Sequence, residues 1–272
     1  MFRLDEKIAA IFGGSGHLGQ QLTRGLLGQG ATIYNYDVKS PENPNSEDLN
    51  KEYPGRYKFI KLDATDQSGL KLAFKDIVSE NGHIDILVTS TTMKGNDFYL
   101  PFEEVSLEGW NIGLTGNLTL PFMITQACIP YMREQESGSI INISSHYGIV
   151  GNDQSIYEGS NLHEIYVQDS PDIKQVFSHG VYNAAKGGVN SFTRYLAAYY
   201  GKYNVRVNSV SPGGIWMEGE NQTFLDKYAA KTPLGRKAKP DEINGAVIYL
   251  ASDASSYVTG HNLVVDGGFS IW

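Results

Sequence analysis

The run Lys7-Ile8-Ala9-Ala10-Ile11-Phe12 breaks directly into Gly13-Gly14-Ser15-Gly16-His17-Leu18-Gly19, and a helical pattern then continues to about Gln29. A buried strand, a glycine turn and a helix in immediate succession leave few folds open. Gly13, Gly16 and Gly19 let the backbone approach a pyrophosphate, and the helix N-terminus offers it free N–H groups and the positive end of a dipole. Any tight turn needs glycines, so the strand before and the helix after carry the dinucleotide reading. Gly13, Ser15, Gly16, His17, Leu18 and Gly19 are the expected contacts.

Further along, apolar runs alternate with helical ones. Strands are expected at Ala31–Tyr36, Tyr57–Leu62, Ile84–Val88, Gly138–Ser145, Val205–Val210 and Asn262–Asp266. With no repeat and no low-complexity linker between them, this predicts a single α/β domain: a doubly wound, seven-stranded parallel sheet with helices on both faces. The second strand ends at Asp37, eighteen residues beyond Gly19. A carboxylate there accepts both ribose hydroxyls of NAD and repels the 2′-phosphate of NADP, while nearby Lys39 leaves NADP possible. Asp63 and Ala64 follow the third strand, where they either meet an adenine amino group or form a plain turn; Asp66 or Thr65 caps the next helix. Thr89 and Ser90 end the fourth strand, where their hydroxyls either hold a ribose or finish the strand. Ser40 to Tyr53 reads as an exposed loop or broken helix.

A long helix is expected over about Leu107 to Arg133, with Asn117 in its middle. Asparagine is a modest helix former, so it either faces solvent or holds a water near a site. Ser144 and Ser145 end the fifth strand at the edge where ligands bind in such sheets. No Asp-His pair is spaced to make Ser145 a nucleophile, so it reads as a hydrogen-bond donor. From Gly151 to His179 periodicity is lost, which predicts a structureless lid or binding loop or a surface insertion. The helix from Val181 to Tyr200 then places Tyr182 and Lys186 four apart on one face. A lysine ammonium at about 4 Å supplies the order of energy needed to draw a phenol from about 10 toward neutrality, which suits the pair to acid-base work on a hydroxyl or carbonyl. Beyond Ser211-Pro212-Gly213-Gly214, the stretch to about residue 232 carries Trp216, Phe224 and Tyr228 and reads as a mobile segment closing over substrate.

Composition excludes several other classes. The 272 residues suffice for one large core, and 19% charged residues with a formal net charge of −8 and no basic run speak against a nucleic-acid partner. The first apolar run is cut by glycines at once and no later stretch is long enough to cross a bilayer, so neither a signal nor a membrane partner is expected. The one cysteine, Cys128, sits among apolar neighbours and reads as a buried inert thiol. The expected compartment is cytoplasmic, and no metal site is expected.

Taken together, the glycine turn, Asp37, Asp63, Asn117, Asn142-Ile143-Ser144-Ser145, Tyr182-Asn183-Ala184-Ala185-Lys186 and Ser211-Pro212-Gly213-Gly214 resemble the short-chain dehydrogenase/reductase family over nearly the whole chain. Leu250 to Gly260 and Val265-Asp266-Gly267-Gly268 are similarly typical. More narrowly, Ile156-Tyr157-Glu158-Gly159, Arg194 to Ala197, Tyr199 to Tyr203 and Thr232 to Arg236 resemble the PtmA-like branch associated with flagellin modification and bacterial sugar biosynthesis. The resemblance implies a Rossmann-like fold and an NAD-dependent (NADP possible) oxidoreductase. Tyr182 would give or take the proton, and Lys186 would lower its pKa and bind the nicotinamide ribose. Ser145 would steady the substrate oxygen, and Asn117 would hold a relaying water. Pro212, Gly213 and Ile215 would join the cofactor contacts. It further implies a homodimer or homotetramer built on the helices bearing Asn117 and Tyr182, with Phe269 to Trp272 packed on a neighbour.

Three departures stand out. His17 occupies the place of the turn's usual middle glycine, and Thr89-Ser90-Thr91-Thr92 replaces the usual Asn-Asn-Ala-Gly. The gap from Ser145 to Tyr182 is 182 − 145 = 37 positions, several times longer than in most members. The expected substrate is a secondary alcohol or ketone of a sugar, sugar phosphate or nucleotide sugar. Glu158, Asn161 and His163 are candidate polar contacts. A cofactor-binding scaffold without catalysis, and an epimerase or dehydratase with tightly bound NAD, are the rival readings.

Overall fold

The computed structural model describes residues 1–40, 46–167 and 173–272. Among them, β1 (Ile8–Phe12), β2 (Thr32–Asp37), β3 (Tyr57–Lys61), β4 (Ile86–Thr89), β5 (Gly138–Ile143), β6 (Val205–Pro212) and β7 (Asn262–Val265) form one seven-stranded sheet. All pairings are parallel, in the order β3-β2-β1-β4-β5-β6-β7. Each strand adjoins one of the expected runs within a few residues, because runs buried on both faces are apolar almost throughout. The helices are α1 (His17–Gly28), α2 (Ser46–Glu52), α3 (Gln67–Asn81), α4 (Leu107–Leu114), α5 (Leu120–Glu134), α6 (Leu162–Tyr166), α7 (Gly180–Tyr200), α8 (Gln222–Ala230) and α9 (Asn244–Ala251). Of the expected loop or broken helix over Ser40 to Tyr53, α2 is the helical part; residues 41–45 lie outside the described residues.

Alternation along β1 sends its side chains to two cores. Ile8, Ala10 and Phe12 pack with Phe74 of α3, Ile124 and Cys128 of α5 and Leu196 of α7. Ala9 and Ile11 pack with Leu22 and Leu26 of α1 and Val247 and Leu250 of α9 on the opposite face. Cys128 is fully buried, and desolvation pushes its thiol pKa up. Since β1 lies between β2 and β4, the crossovers diverge on either side of it, and the carboxyl ends of β1 and β4 open the crevice where such sheets bind ligands. At the start of α3, Asp66 is the cap, accepting a hydrogen bond from the Ser68 amide at 2.9 Å.

Two expectations need correction. Residues Leu107–Glu134 form one 28-residue helix that is, by length and hydropathy, long and apolar enough to cross a membrane. Its apolar stripe is instead a core element, with Leu120, Ile124, Cys128, Ile129 and Met132 buried against the fold. Within it, Thr115–Thr119 forms a turn of π-helix, and Asn117 sits at its centre. Secondly, the 151–179 stretch is not structureless. It holds a 3-10 turn at Gln154–Tyr157 and α6, and Ile156, Leu162 and Val176 enter a third apolar cluster with Phe98, Tyr99, Tyr147, Val181, Phe224 and Tyr228. Helical pieces this short show no period in sequence. Residues 168–172 of that stretch lie outside the described residues.

Candidate active site

Two glycines make the turn after β1 possible. Gly13 has a φ of +82°, and a Cβ there would stand 2.4 Å from the Ser90 carbonyl oxygen; at Gly19 it would stand 2.1 Å from the Gly13 oxygen. Only bare backbone closes the turn against both the end of β4 and α1. Helix α1 follows Gly16, which offers no side-chain cap, and has no acidic residue in its first turn. The N–H groups there and the helix dipole are thus left for an anion from outside the chain. Beside the turn, Asp37 accepts hydrogen bonds from the Ser15 and Lys39 amides at 3.0 and 3.1 Å, which fixes its carboxylate at the end of β2. This cradle fits the pyrophosphate and adenosine ribose of a dinucleotide. His17 does not enter the turn's packing; its Nε2 lies 3.2 Å from the Trp216 carbonyl oxygen.

At the next two positions of the crevice the threonines serve as internal ties. Thr89 donates to Asn142 Oδ1 at 2.8 Å between β4 and β5, so its hydroxyl finishes the strand instead of facing a ribose. Thr91 donates to the Gly116 carbonyl at 2.9 Å. That bond holds the loop after β4 onto the π-turn, where Asn117 is fully buried and donates to Gly113 and Met93 carbonyls at 3.0 and 3.3 Å. Its Oδ1 has no partner. Among the alternatives for Asn117, facing solvent is excluded; a buried acceptor without a donor is what a bound water would satisfy.

On α7, Lys186 is 4% exposed. Its Nζ donates to the Ile143 carbonyl at 2.9 Å and lies 5.5 Å from the centroid of the Tyr182 ring. Desolvation draws its pKa down to about 8. For the Tyr182 hydroxyl the dominant influence is also desolvation, which raises it, while a hydrogen bond with Ser145 opposes the rise. The expected lowering by Lys186 is thus not what governs Tyr182 in this structure, because the ammonium is directed to a main-chain carbonyl. Ser145 Oγ accepts from the Tyr147 amide at 3.1 Å, which leaves its own O–H to donate.

These parts share one cleft of about 410 Å³. Gly13, Gly16, His17, Leu18, Gly19, Ser90, Asn117, Ser145, Tyr182, Lys186, Pro212, Gly213 and Ile215 line it; Ser15, Asp37, Asp63, Ala64 and Thr89 do not. Asp63 follows β3, two places from β1, and its Oδ1 accepts from the amide and hydroxyl of Thr65 at 2.9 and 2.8 Å, the plain-turn alternative. Glu158, Asn161 and His163 stay outside as well. Glu158 faces Lys227 at 3.8 Å, and Asn161 ties the insertion to Gly219 and Asn221 at 2.7 and 2.9 Å.

Other residues reach the cleft without a local sequence signal. His146 donates from Nδ1 to the Pro212 carbonyl at 2.9 Å, and burial lowers its pKa, so it is neutral with Nε2 unpartnered. The Tyr147 and Tyr157 hydroxyls meet at 3.1 Å. Lys237 forms an enclosed ion pair with Glu220 and lies 4.8 Å from the Phe224 ring centroid. Each contact bridges ten or more positions of the chain, and the doubled serine of Ser144-Ser145 stands directly before His146.

A doubly wound sheet whose glycine turn opens on a tyrosine-lysine pair defines a nicotinamide-dependent oxidoreductase fold. The short chain dehydrogenase family model matches residues 7–160, and an enoyl-(acyl carrier protein) reductase model matches residues 170–270. The chain is similar to the 3-oxoacyl-[acyl-carrier-protein] reductase FabG of Thermotoga maritima, at 32% identity over 99% of this chain and 100% of that protein. It is 31% identical to the D-threitol dehydrogenase of Mycolicibacterium smegmatis, over 99% of this chain and 95% of that protein. Among solved structures, a short chain dehydrogenase from Leptospira borgpetersenii with bound NAD+ superposes with a TM-score of 0.84 at 32% identity, covering 98% and 94% of the two chains. A gluconate 5-dehydrogenase from Burkholderia cenocepacia, in complex with NADP and tartrate, does so at 0.83 and 26%, covering 100% and 98%. This chain belongs to the short-chain dehydrogenase/reductase family. It is an enzyme of that type, with a nicotinamide cofactor and a small-molecule alcohol or ketone as substrate.

Proposed function

We propose that the protein is an NAD-preferring dehydrogenase/reductase acting on a secondary alcohol or ketone of a sugar, sugar phosphate or nucleotide sugar. The observation that carries this is the convergence of Asn117, Ser145, Tyr182 and Lys186 on one cleft that begins at the glycine turn. The preference for NAD rests on the Asp37 carboxylate held beside Ser15. The polyhydroxylated class rests on aromatic walls suited to sugar faces, on the threitol dehydrogenase among the relatives and on the narrower resemblance to the PtmA-like branch.

Bound in this cleft, the cofactor supplies the hydride acceptor or donor. Ser145, its Oγ held by the Tyr147 amide, directs its free O–H to the substrate oxygen. Tyr182 takes or gives the proton at that oxygen. Desolvation favours the phenol over the phenolate, and in the free site the hydrogen bond with Ser145 is what opposes that rise. Lys186 holds the nicotinamide ribose, and Asn117 Oδ1 holds a water through which protons reach bulk solvent. The described parts of the 151–179 insertion, cross-tied to the 213–232 segment, cover the substrate with it. A cytoplasmic homodimer or homotetramer, assembled on the faces of α5 and α7 where Phe122 and Tyr195 are exposed, completes the proposal.

A scaffold role without catalysis was suggested by Thr89-Ser90-Thr91-Thr92. Thr89 tied to Asn142 and Thr91 tied to Gly116 give that stretch a structural part to play, which weighs against the scaffold reading. The test is a nicotinamide absorbance screen across sugars, sugar phosphates and nucleotide sugars, with wild type and Tyr182→Phe. Turnover falling at least about a hundredfold in the variant is the expected result; equal turnover by both would refute the reading.

A further inference from the structure

We propose that the substrate end of the cleft is built for an acidic molecule, with Lys94 receiving the carboxylate or phosphate of the compound whose alcohol or ketone meets Tyr182. This rests on the oxidoreductase reading above and narrows its substrate class. The chain carries a formal net charge of −8, yet the described residues lining the cleft include three lysines and no aspartate or glutamate. Two of the lysines are accounted for. Lys237 is paired with Glu220, and Lys186 is held on the Ile143 carbonyl beneath Tyr182.

Lys94 has no carboxylate partner among the described residues. Its Nζ donates to the Tyr99 hydroxyl at 2.5 Å and lies 5.0 and 5.2 Å from the centroids of the Tyr99 and Tyr166 rings. Those rings stack at 5.5 Å and 5°. An ammonium has three donors, and a phenol with two ring faces satisfies only part of them. Burial accordingly pulls its pKa below the ordinary lysine value, a cost that a bound oxyanion would offset. The position suits a substrate group. The Tyr99 ring meets His179 at 5.0 Å, and His179 meets Tyr182 at 5.8 Å, so two ring contacts separate the cation from the proposed acid-base residue. The cofactor's own phosphates have a separate receptor in the uncapped start of α1.

The test compares wild type, Lys94→Met and Lys94→Arg on D-gluconate, D-glucitol 6-phosphate and neutral D-glucitol. Turnover is read with NAD, and binding is read by calorimetry on the enzyme saturated with NADH. Binding of at least one acid is expected to exceed that of D-glucitol by about tenfold or more, to fall about tenfold or more in Lys94→Met and to be largely restored in Lys94→Arg. NADH affinity should hold within about twofold, since Lys94 lies outside the cofactor cradle. The two acids separate a carboxylate from a phosphate site. Neutral polyol bound or turned over as well as the acids, equal losses for acid and neutral ligand in Lys94→Met, or a loss of NADH affinity there, would overturn the proposal while leaving the oxidoreductase reading intact. Lys94-dependent acid binding without turnover of any compound would sustain the anion site and count against that reading; neither binding nor turnover would remove both.

Discussion

Lys186 donates from Nζ to the main-chain oxygen of Ile143 at 2.9 Å. Ile143 is the last residue of β5, so the sheet itself holds the ammonium in place, and burial that draws the lysine pKa to about 8 is the consequence. An ammonium anchored to backbone stays put whichever way the Tyr182 proton moves.

That depressed value ties stability to pH. Between about 8 and the ordinary 10.5, the unfolded chain keeps the Lys186 proton while the folded chain releases it. Stability therefore rises with pH across this window, and the penalty of burying the charge is complete below it. Relative to Lys186→Met, the wild type should gain up to about 3 kcal/mol between pH 7.5 and 10.5. Urea titrations of both proteins across that range measure the difference; a flat difference would show that Lys186 is not desolvated.

Gly16 and Gly19 should respond differently to alanine. A Cβ at Gly19 stands 2.1 Å from the Gly13 oxygen, whereas at Gly16 the nearest atom is 3.4 Å away. Gly19→Ala is expected to cost about 1–3 kcal/mol of stability. Gly16→Ala should alter stability by less than about 1 kcal/mol, yet weaken NADH binding by crowding the phosphate approach. Thermal melts beside fluorescence titrations with NADH decide this, and equal loss of stability in both variants would contradict it.

Asp37 sets the expected cofactor choice. Replacing it with serine removes the carboxylate that a 2′-phosphate would face, so the ratio of NADP to NAD affinity should rise about tenfold or more. Titration of the variant with both cofactors checks this. An unchanged ratio would move discrimination elsewhere, with Lys39 the nearest candidate.

Glu220 and Lys237 are an enclosed pair, with side chains 0% and 5% exposed. Glu220→Gln leaves a buried ammonium uncompensated and is expected to cost about 3–5 kcal/mol, whereas Glu220→Leu combined with Lys237→Met should cost well under the sum of the single changes. Hydrogen exchange over residues 213–232 should quicken most in the single variant. Additive effects would mean the two groups do not act as a pair.

Several candidate site residues were legible because their signals are local. Gly13, Gly16 and Gly19 lie in one turn, Tyr182 and Lys186 share one helical face, and Asp37 and Ser145 sit at or just past the end of an apolar run that reads as a strand. Where two readings stayed open, hydrogen bonds bear on them: Thr89 donates to Asn142, its partner in the register with β5, and Asp63 accepts from Thr65 within its own turn. The 151–179 stretch hid its order because a four-residue 3-10 turn and a five-residue helix are too short to show a period.

By itself, then, the sequence determined the doubly wound sheet, the glycine turn after β1 and the tyrosine-lysine pair, since each is specified by neighbours within a turn, a strand or a helix. Only the tertiary structure decided that the Leu107–Glu134 helix is a core element, that Asn117 sits buried in a π-turn, and that burial opposes ionisation of Tyr182. It also brought Lys94 to Tyr99 and Tyr166, and Lys237 to Glu220. Those outcomes depend on desolvation and charge pairing, which are properties of a packed environment assembled from distant parts of the chain.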